Sequence, residues 1–141
     1  MGSVEPTAEQ IAVLAALSGE GAPVVMINLL RYRSRAAYAD DFDADPCSGR
    51  EAYGRYSAVA LQRVASVGGS ILWMGNVAAT VIAPEGECWD DAVLVQYPSP
   101  QAFLEMVAQP EYLAAAPHRS AALADSRLIA TRTVATLLNG D

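Results

Sequence analysis

Pro23-Val24-Val25-Met26-Ile27-Asn28-Leu29-Leu30-Arg31-Tyr32-Arg33 reads as a core strand. A β-branched and apolar run of this length suits a strand buried inside a sheet. Two letters break the pattern. Asn28 and Arg31 place an amide and a guanidinium where hydrocarbon is expected, and an unpaired buried polar group costs about 1–3 kcal/mol. Side chains alternate along a strand, so residues 24, 26, 28, 30 and 32 share one face, and 25, 27, 29 and 31 share the other. Asn28 therefore sits with Val24, Met26, Leu30 and Tyr32, and Arg31 lies opposite.

Upstream of this strand, Thr7-Ala8-Glu9-Gln10 fits a capping box, and Ile11, Leu14 and Leu17 give a helical face that Gly19 and Gly21 end. Residues 1–22 are expected to form a helical extension to a domain spanning 23–141. Downstream, residues 34–50 form an acidic loop. Asp41, Asp43 and Asp45 alternate as in a calcium loop, yet Pro46 stands where that motif needs glycine and Ala52 where it needs glutamate. A solvated loop is the expectation. A helix is expected from Arg50 to Val67, ended by Gly68-Gly69, with Tyr53 and Tyr56 on one face.

Ser70 to Ala83 reads as one long strand with a bulge at Gly75-Asn76, and Trp89 to Tyr97 as a third strand after the Pro84–Glu87 turn. Ser99 and Pro100 mark the cap and first residue of another helix. Pro110 restarts that helix and Pro117 is expected to interrupt it beside His118. Arg127 to Leu138 reads as the last strand. The order after the first helix is βαββαβ. That is an α+β, ferredoxin-like arrangement: a four-stranded antiparallel sheet with helices on one face. A chain with no helices to spare covers the other face most simply by packing sheet to sheet as a homodimer.

Composition narrows the function classes. The 141 residues are 52% hydrophobic, enough for one domain with a real core. A net charge of −7 argues against nucleic acid or an anionic membrane as partner. All nine cations are arginine, so Schiff-base, pyridoxal-phosphate and P-loop lysines are excluded. His118 stands alone, which excludes a multi-histidine metal centre within one chain. No cofactor is expected. Cys47 and Cys88 read as unpaired surface thiols. The opening residues lack the basic region and apolar core of an export signal, so a cytoplasmic protein is expected.

Five side chains could carry chemistry. Asn28 could bind a carbonyl or enolate oxygen, or pair with Gln96 or Tyr97 on a neighbouring strand. Arg31 could hold a carboxylate, or pair with Asp90, Asp91 or Asp125. Trp73 and Tyr56 could wall an aromatic ligand or simply pack. His118 has the one side chain whose ordinary pKa suits proton transfer near neutrality, although a surface or capping role would explain it equally.

The segments Met26–Arg33, Ser48–Tyr56, Gly69–Gly75, Trp89–Ser99 and Asp125–Leu128 resemble the domain of unknown function 1330 family, across residues 23 to 136. The resemblance implies the dimeric α+β barrel superfamily, in which two ferredoxin-like sheets pack together. Cofactor-free and haem-degrading monooxygenases of that superfamily use asparagine, tryptophan and, in the haem enzymes, histidine, the residue types of Asn28, Trp73 and His118. It names no reaction. Two readings stay open. One is a small-molecule site for an aromatic or carbonyl metabolite, with cofactor-independent proton transfer or oxygenation. In that reading His118 and Asn28 are catalytic, and Arg31, Tyr56 and Trp73 bind substrate. The other is a non-catalytic dimeric binding or regulatory module.

Overall fold

In the computed structural model, which describes residues 2–17 and 21–135, the quoted stretch is β1 (Val24–Tyr32) at the centre of the sheet. It follows α1 (Ala8–Ala16) and precedes α2 (Gly49–Ser66), β2 (Ser70–Asn76) and β3 (Asp91–Tyr97). The chain then forms α3 (Pro100–Val107), α4 (Pro110–Ala122) and β4 (Leu123–Thr131). The strand order is β2-β3-β1-β4, antiparallel throughout. This is the βαββαβ, ferredoxin-like fold of the α+β class.

The two faces differ as the alternation requires. Val24, Met26 and Leu30 of β1 and Val93, Val95 and Tyr97 of β3 are buried against the helices. Ala52 and Val64 of α2, Ala102 and Met106 of α3, and Ala122 at the end of α4 complete that core. Ile27, Leu29, Leu94 and Ile129 lie on the opposite, helix-free face.

Local chemistry sets the helix boundaries. The Thr7 hydroxyl accepts from the Gln10 amide and the Gln10 side chain accepts from the Thr7 amide, the expected capping box. Ser48 and Glu51 make a second one at α2 that the sequence reading passed over. At the other end of α2, Gly68 takes φ +82, and the Gly68 and Gly69 amides donate to the Ala65 and Val64 carbonyls. This is a Schellman stop, and it needs a residue without a Cβ at Gly68.

Several expected boundaries move. β2 ends at Asn76, not Ala83: the Val77 amide still bonds the Asp90 carbonyl, but beyond it Val81 and Ile82 stand exposed with no strand beside them. The irregularity in β2 falls between Ile71 and Trp73, not at Gly75, which instead makes room for the Trp73 indole. Pro117 does not interrupt α4, which runs on to Ala122. A proline removes one backbone bond, to the carbonyl four residues earlier, and here that residue is the exposed Leu113. β4 starts at Leu123 because α4 passes straight into it, with no glycine or proline to mark the change. It ends at Thr131, short of the expected Leu138: residues 132–135 are not strand, and the expected span from 136 on lies outside the described residues. Cys47 is buried in the core rather than exposed; Cys88 is exposed. No helix among the described residues is long and apolar enough to cross a membrane.

Candidate functional site

Asn28 lies on the helix face of β1, between Val93 and Leu128. Its amide nitrogen donates over long distances, 3.4 Å to the Val93 carbonyl and 3.5 Å to that of Met26. The expected partners are not there. The register sets Tyr97 opposite Val24, and Gln96 opposite Val25 on the other face. Leu128 shares the face of Asn28 and is still 44% exposed, so the helices leave the β4 side of this layer open. A cavity of about 190 Å³ lies further along the same edge, lined by Val24, Pro100, Ala130 and Thr131 among others.

The helices bring phenols to this layer. Tyr53 and Tyr56, three apart on α2, hold their rings 5.2 Å apart. The Tyr56 hydroxyl meets that of Tyr112 on α4 at 2.8 Å. Tyr97 from β3 lies within electrostatic reach of Tyr53 and Tyr112, and Arg119 on α4 lies within electrostatic reach of the Tyr53 hydroxyl. Burial pushes the pKa of Tyr53, Tyr56 and Tyr97 upward, and neighbouring phenols add to the rise for Tyr56 and Tyr97. All three stay protonated at neutral pH.

A phenol has one proton to donate, and an arginine donates only. The Tyr56–Tyr112 bond uses one of that pair's two protons. Arg119, which can only donate, takes none of Tyr53's. No acceptor for the remaining protons is found among the described residues.

A second cluster forms where the acidic loop crosses α2 and α4. The Tyr38 hydroxyl lies 2.7 Å from His118 Nδ1 and 3.1 Å from Arg55 Nη1, which also donates to the Asp45 carbonyl at 2.9 Å. The Phe42 ring stacks on Tyr38, and both rings meet the imidazole edge-on. Burial, and then the charge of Arg55, lower the His118 pKa.

A third polar group closes one end of the sheet. Asp91 accepts from Tyr32 at 2.7 Å, Asn76 at 2.8 Å and Arg50 at 2.9 Å, and the Arg50 guanidinium sits over the Tyr32 ring. Both oxygens of this carboxylate are engaged by protein donors, so it fits a structural anchor better than a ligand.

Arg31 lies on the helix-free face, exposed, with no ion pair or hydrogen bond among the described residues. Asp125 is its neighbour in register but pairs with Arg127. Trp73 is on the same face, two strands away from β1, and 48% exposed. The five expected site residues thus occupy separate places. Asn28 and Tyr56 share the layer between sheet and helices. Trp73 and Arg31 are beyond the sheet from it, and His118 joins Tyr38 and Arg55. No three His, Cys, Asp or Glu side chains among the described residues are placed to hold a metal ion.

A family model for a domain of unknown function, DUF1330, matches residues 47–133. The chain belongs to the DUF1330 family. RPA0582 of Rhodopseudomonas palustris, a protein described as of unknown function, superposes with a TM-score of 0.88 at 37% identity, over 96% of this chain and 100% of that one. Its methylated form gives the same TM-score over 95% and 96%. A hydroxynitrile lyase from Passiflora edulis shares the fold alone, at 13% identity and a TM-score of 0.54 over 82% of this chain and 97% of that one. No curated protein matches.

In this DUF1330 chain the sequence reading missed Tyr38, Arg55, Tyr112 and Arg119. Tyr38 and His118 are 80 positions apart, Tyr56 and Tyr112 are 56 apart, and no spacing rule links such pairs. A usable signal was the density of tyrosine on facing helices. Six tyrosines in one small domain need hydroxyl partners.

Proposed function

We propose that this DUF1330 protein binds a small aromatic or carbonyl metabolite between its sheet and its helices, entering along β4. The observation that carries this reading is the set of half-buried phenols with protons to give and no acceptor among the described residues to take them. A carbonyl or carboxylate oxygen supplies that acceptor, and the tyrosine rings supply a flat apolar wall. Asn28 adds an amide on the sheet side, and Leu128 and Ala130 form the exposed approach.

The phenols are weak acids here and no base among the described residues accompanies them in this layer, which favours binding without turnover at this place. Catalytic use of Asn28 would need a proton carrier from elsewhere. The helix-free sheet face supports a homodimer as the assembled form, with Trp73 and Arg31 at the subunit interface rather than in the ligand site.

Isothermal titration with a panel of aromatic aldehydes, ketones and carboxylates tests the reading. At least one member is expected to bind. Tyr53→Phe should weaken it by about five- to tenfold, the scale of one hydrogen bond. A panel without heat or chemical-shift change, or equal binding by the variant, would remove the reading.

A further inference from the structure

Tyr38, Arg55 and His118 form a site apart from the phenol layer. A guanidinium has no acceptor, so Arg55 Nη1 must donate to the Tyr38 oxygen. We assign the Tyr38 proton to His118 Nδ1, 2.7 Å away, the one acceptor among the described residues within its hydrogen-bond reach. A neutral imidazole that accepts at Nδ1 carries its own proton on Nε2. The charged groups around it point the same way. Arg55 comes from α2, with Glu51 one turn before it near enough to feel its charge. Asp45 presents its backbone carbonyl, and Asp40, Asp41 and Asp43 of the loop are exposed. Arg119, next to His118 on α4, is committed to the Val4 carbonyl. No carboxylate is hydrogen-bonded to the imidazole to hold it charged, and burial with Arg55 favours the neutral form.

We propose that His118 is a proton-donating catalytic residue for a small enolisable carbonyl compound, with Tyr38 and Arg55 as the positioning residues behind it. The imidazole is half-exposed, and Phe42 and Tyr38 flank it with ring centroids 5.4 and 5.5 Å away. A planar carbonyl group approaches at Nε2. The Nε2–H bond breaks as an O–H bond forms on the carbonyl oxygen, and the Tyr38 O–H bond breaks as Nδ1–H forms. The imidazole stays neutral throughout, and the charge left on the Tyr38 oxygen faces Arg55. A solvent water takes the α-carbon proton, leaving the neutral enol; solvent then returns a proton to Nε2 as the Nδ1 proton passes back to the Tyr38 oxygen. No oxidant, metal or cofactor enters the balance.

His118 is the only histidine, so the imidazole resonances of the ¹⁵N-labelled full chain belong to it alone. Long-range ¹H–¹⁵N correlation across the acid and neutral range should show the Nε2–H tautomer only, titrating below the ordinary histidine value of about 6.5. In Tyr38→Phe the Nδ1–H tautomer should join it and the titration should move up. In D₂O the protein should accelerate deuterium uptake at the methylene group of 2,4-pentanedione. His118→Gln should return the rate to that of buffer, and Tyr38→Phe should lower it about tenfold, the loss of one hydrogen bond. Arg55→Lys, which keeps the cation, should retain more of it than Arg55→Met. An Nδ1–H tautomer in the unaltered protein overturns the proposal without need of any variant. So does an uptake rate equal to that of buffer, or one that His118→Gln leaves unchanged in a variant with native circular dichroism.

Discussion

Gly49 opens α2 in a gap bounded by backbone on every side. Its amide donates to the Arg33 carbonyl at 3.1 Å, and a Cβ there would overlap that oxygen and come within 2.7 Å of the Ala122 carbonyl oxygen. Backbone cannot swing aside as a side chain can. Gly49→Ala should therefore cost about 2–4 kcal/mol, read as a lower denaturation midpoint in urea with an unchanged slope. Asp91 gives a residue-scale pH effect. Burial works against its charge, but hydrogen bonds from Asn76, Tyr32 and Arg50 outweigh burial and hold its carboxyl below the usual carboxylate range. The unfolded value is about 3.9, so this stabilisation is present above that pH and is lost as pH falls through the folded value. Melting temperatures of the unaltered protein and Asp91→Asn should differ at neutral pH and converge in acid. A constant gap would exclude the ionised carboxylate as the cause. Sequence alternation correctly separated Asn28 from Arg31 by face. It could not find the neighbour of Asn28, because alternation gives the side of a strand and not its offset against the next one.

At the scale of elements, the legible features were those written in side chains close together in sequence. Thr7 with Gln10 and Ser99 with Pro100 mark helix starts because each cap reaches only a few residues. The start of β4 carried no such mark. Ser48 and Glu51 do form a local signature, and they show that the acidic loop ends in a defined cap. Ser48→Ala removes the acceptor of the Glu51 amide and should lower stability by about 1 kcal/mol. Thermal unfolding followed by circular dichroism checks it; Ser48→Asp, which restores an acceptor, should recover most of the loss. The stretch from Val77 to Ala83 misled for a different reason. β-branched residues favour extended backbone, but a strand also needs a neighbour, and the sheet supplies none past Asn76.

At the scale of the whole molecule, the unanswered demand is the helix-free face of the sheet. Ile27, Leu29 and Leu94 lie along its middle, with Ile129 half-exposed on one side and Trp73 on the other. An apolar strip of this kind, with Arg31, Asp125 and Arg127 beside it on the same face, is covered in most soluble proteins, and a second copy of the chain offers the same surface in return. A stable two-fold interface buries roughly 800 Å² per partner, about the extent of one four-stranded sheet face. The protein should then run at twice the 14.8 kDa chain mass in light scattering at micromolar concentration. Ile129→Arg places a charge in that contact on each partner. It should give the single-chain mass with native circular dichroism, and a red shift of tryptophan emission as Trp73 meets water. The fold within one chain does not need Ile129, which is already half-exposed there, so loss of pairing without loss of folding separates an interface from a core. A single-chain mass for the unaltered protein, or a variant that still pairs, would show that something other than a second copy covers this face.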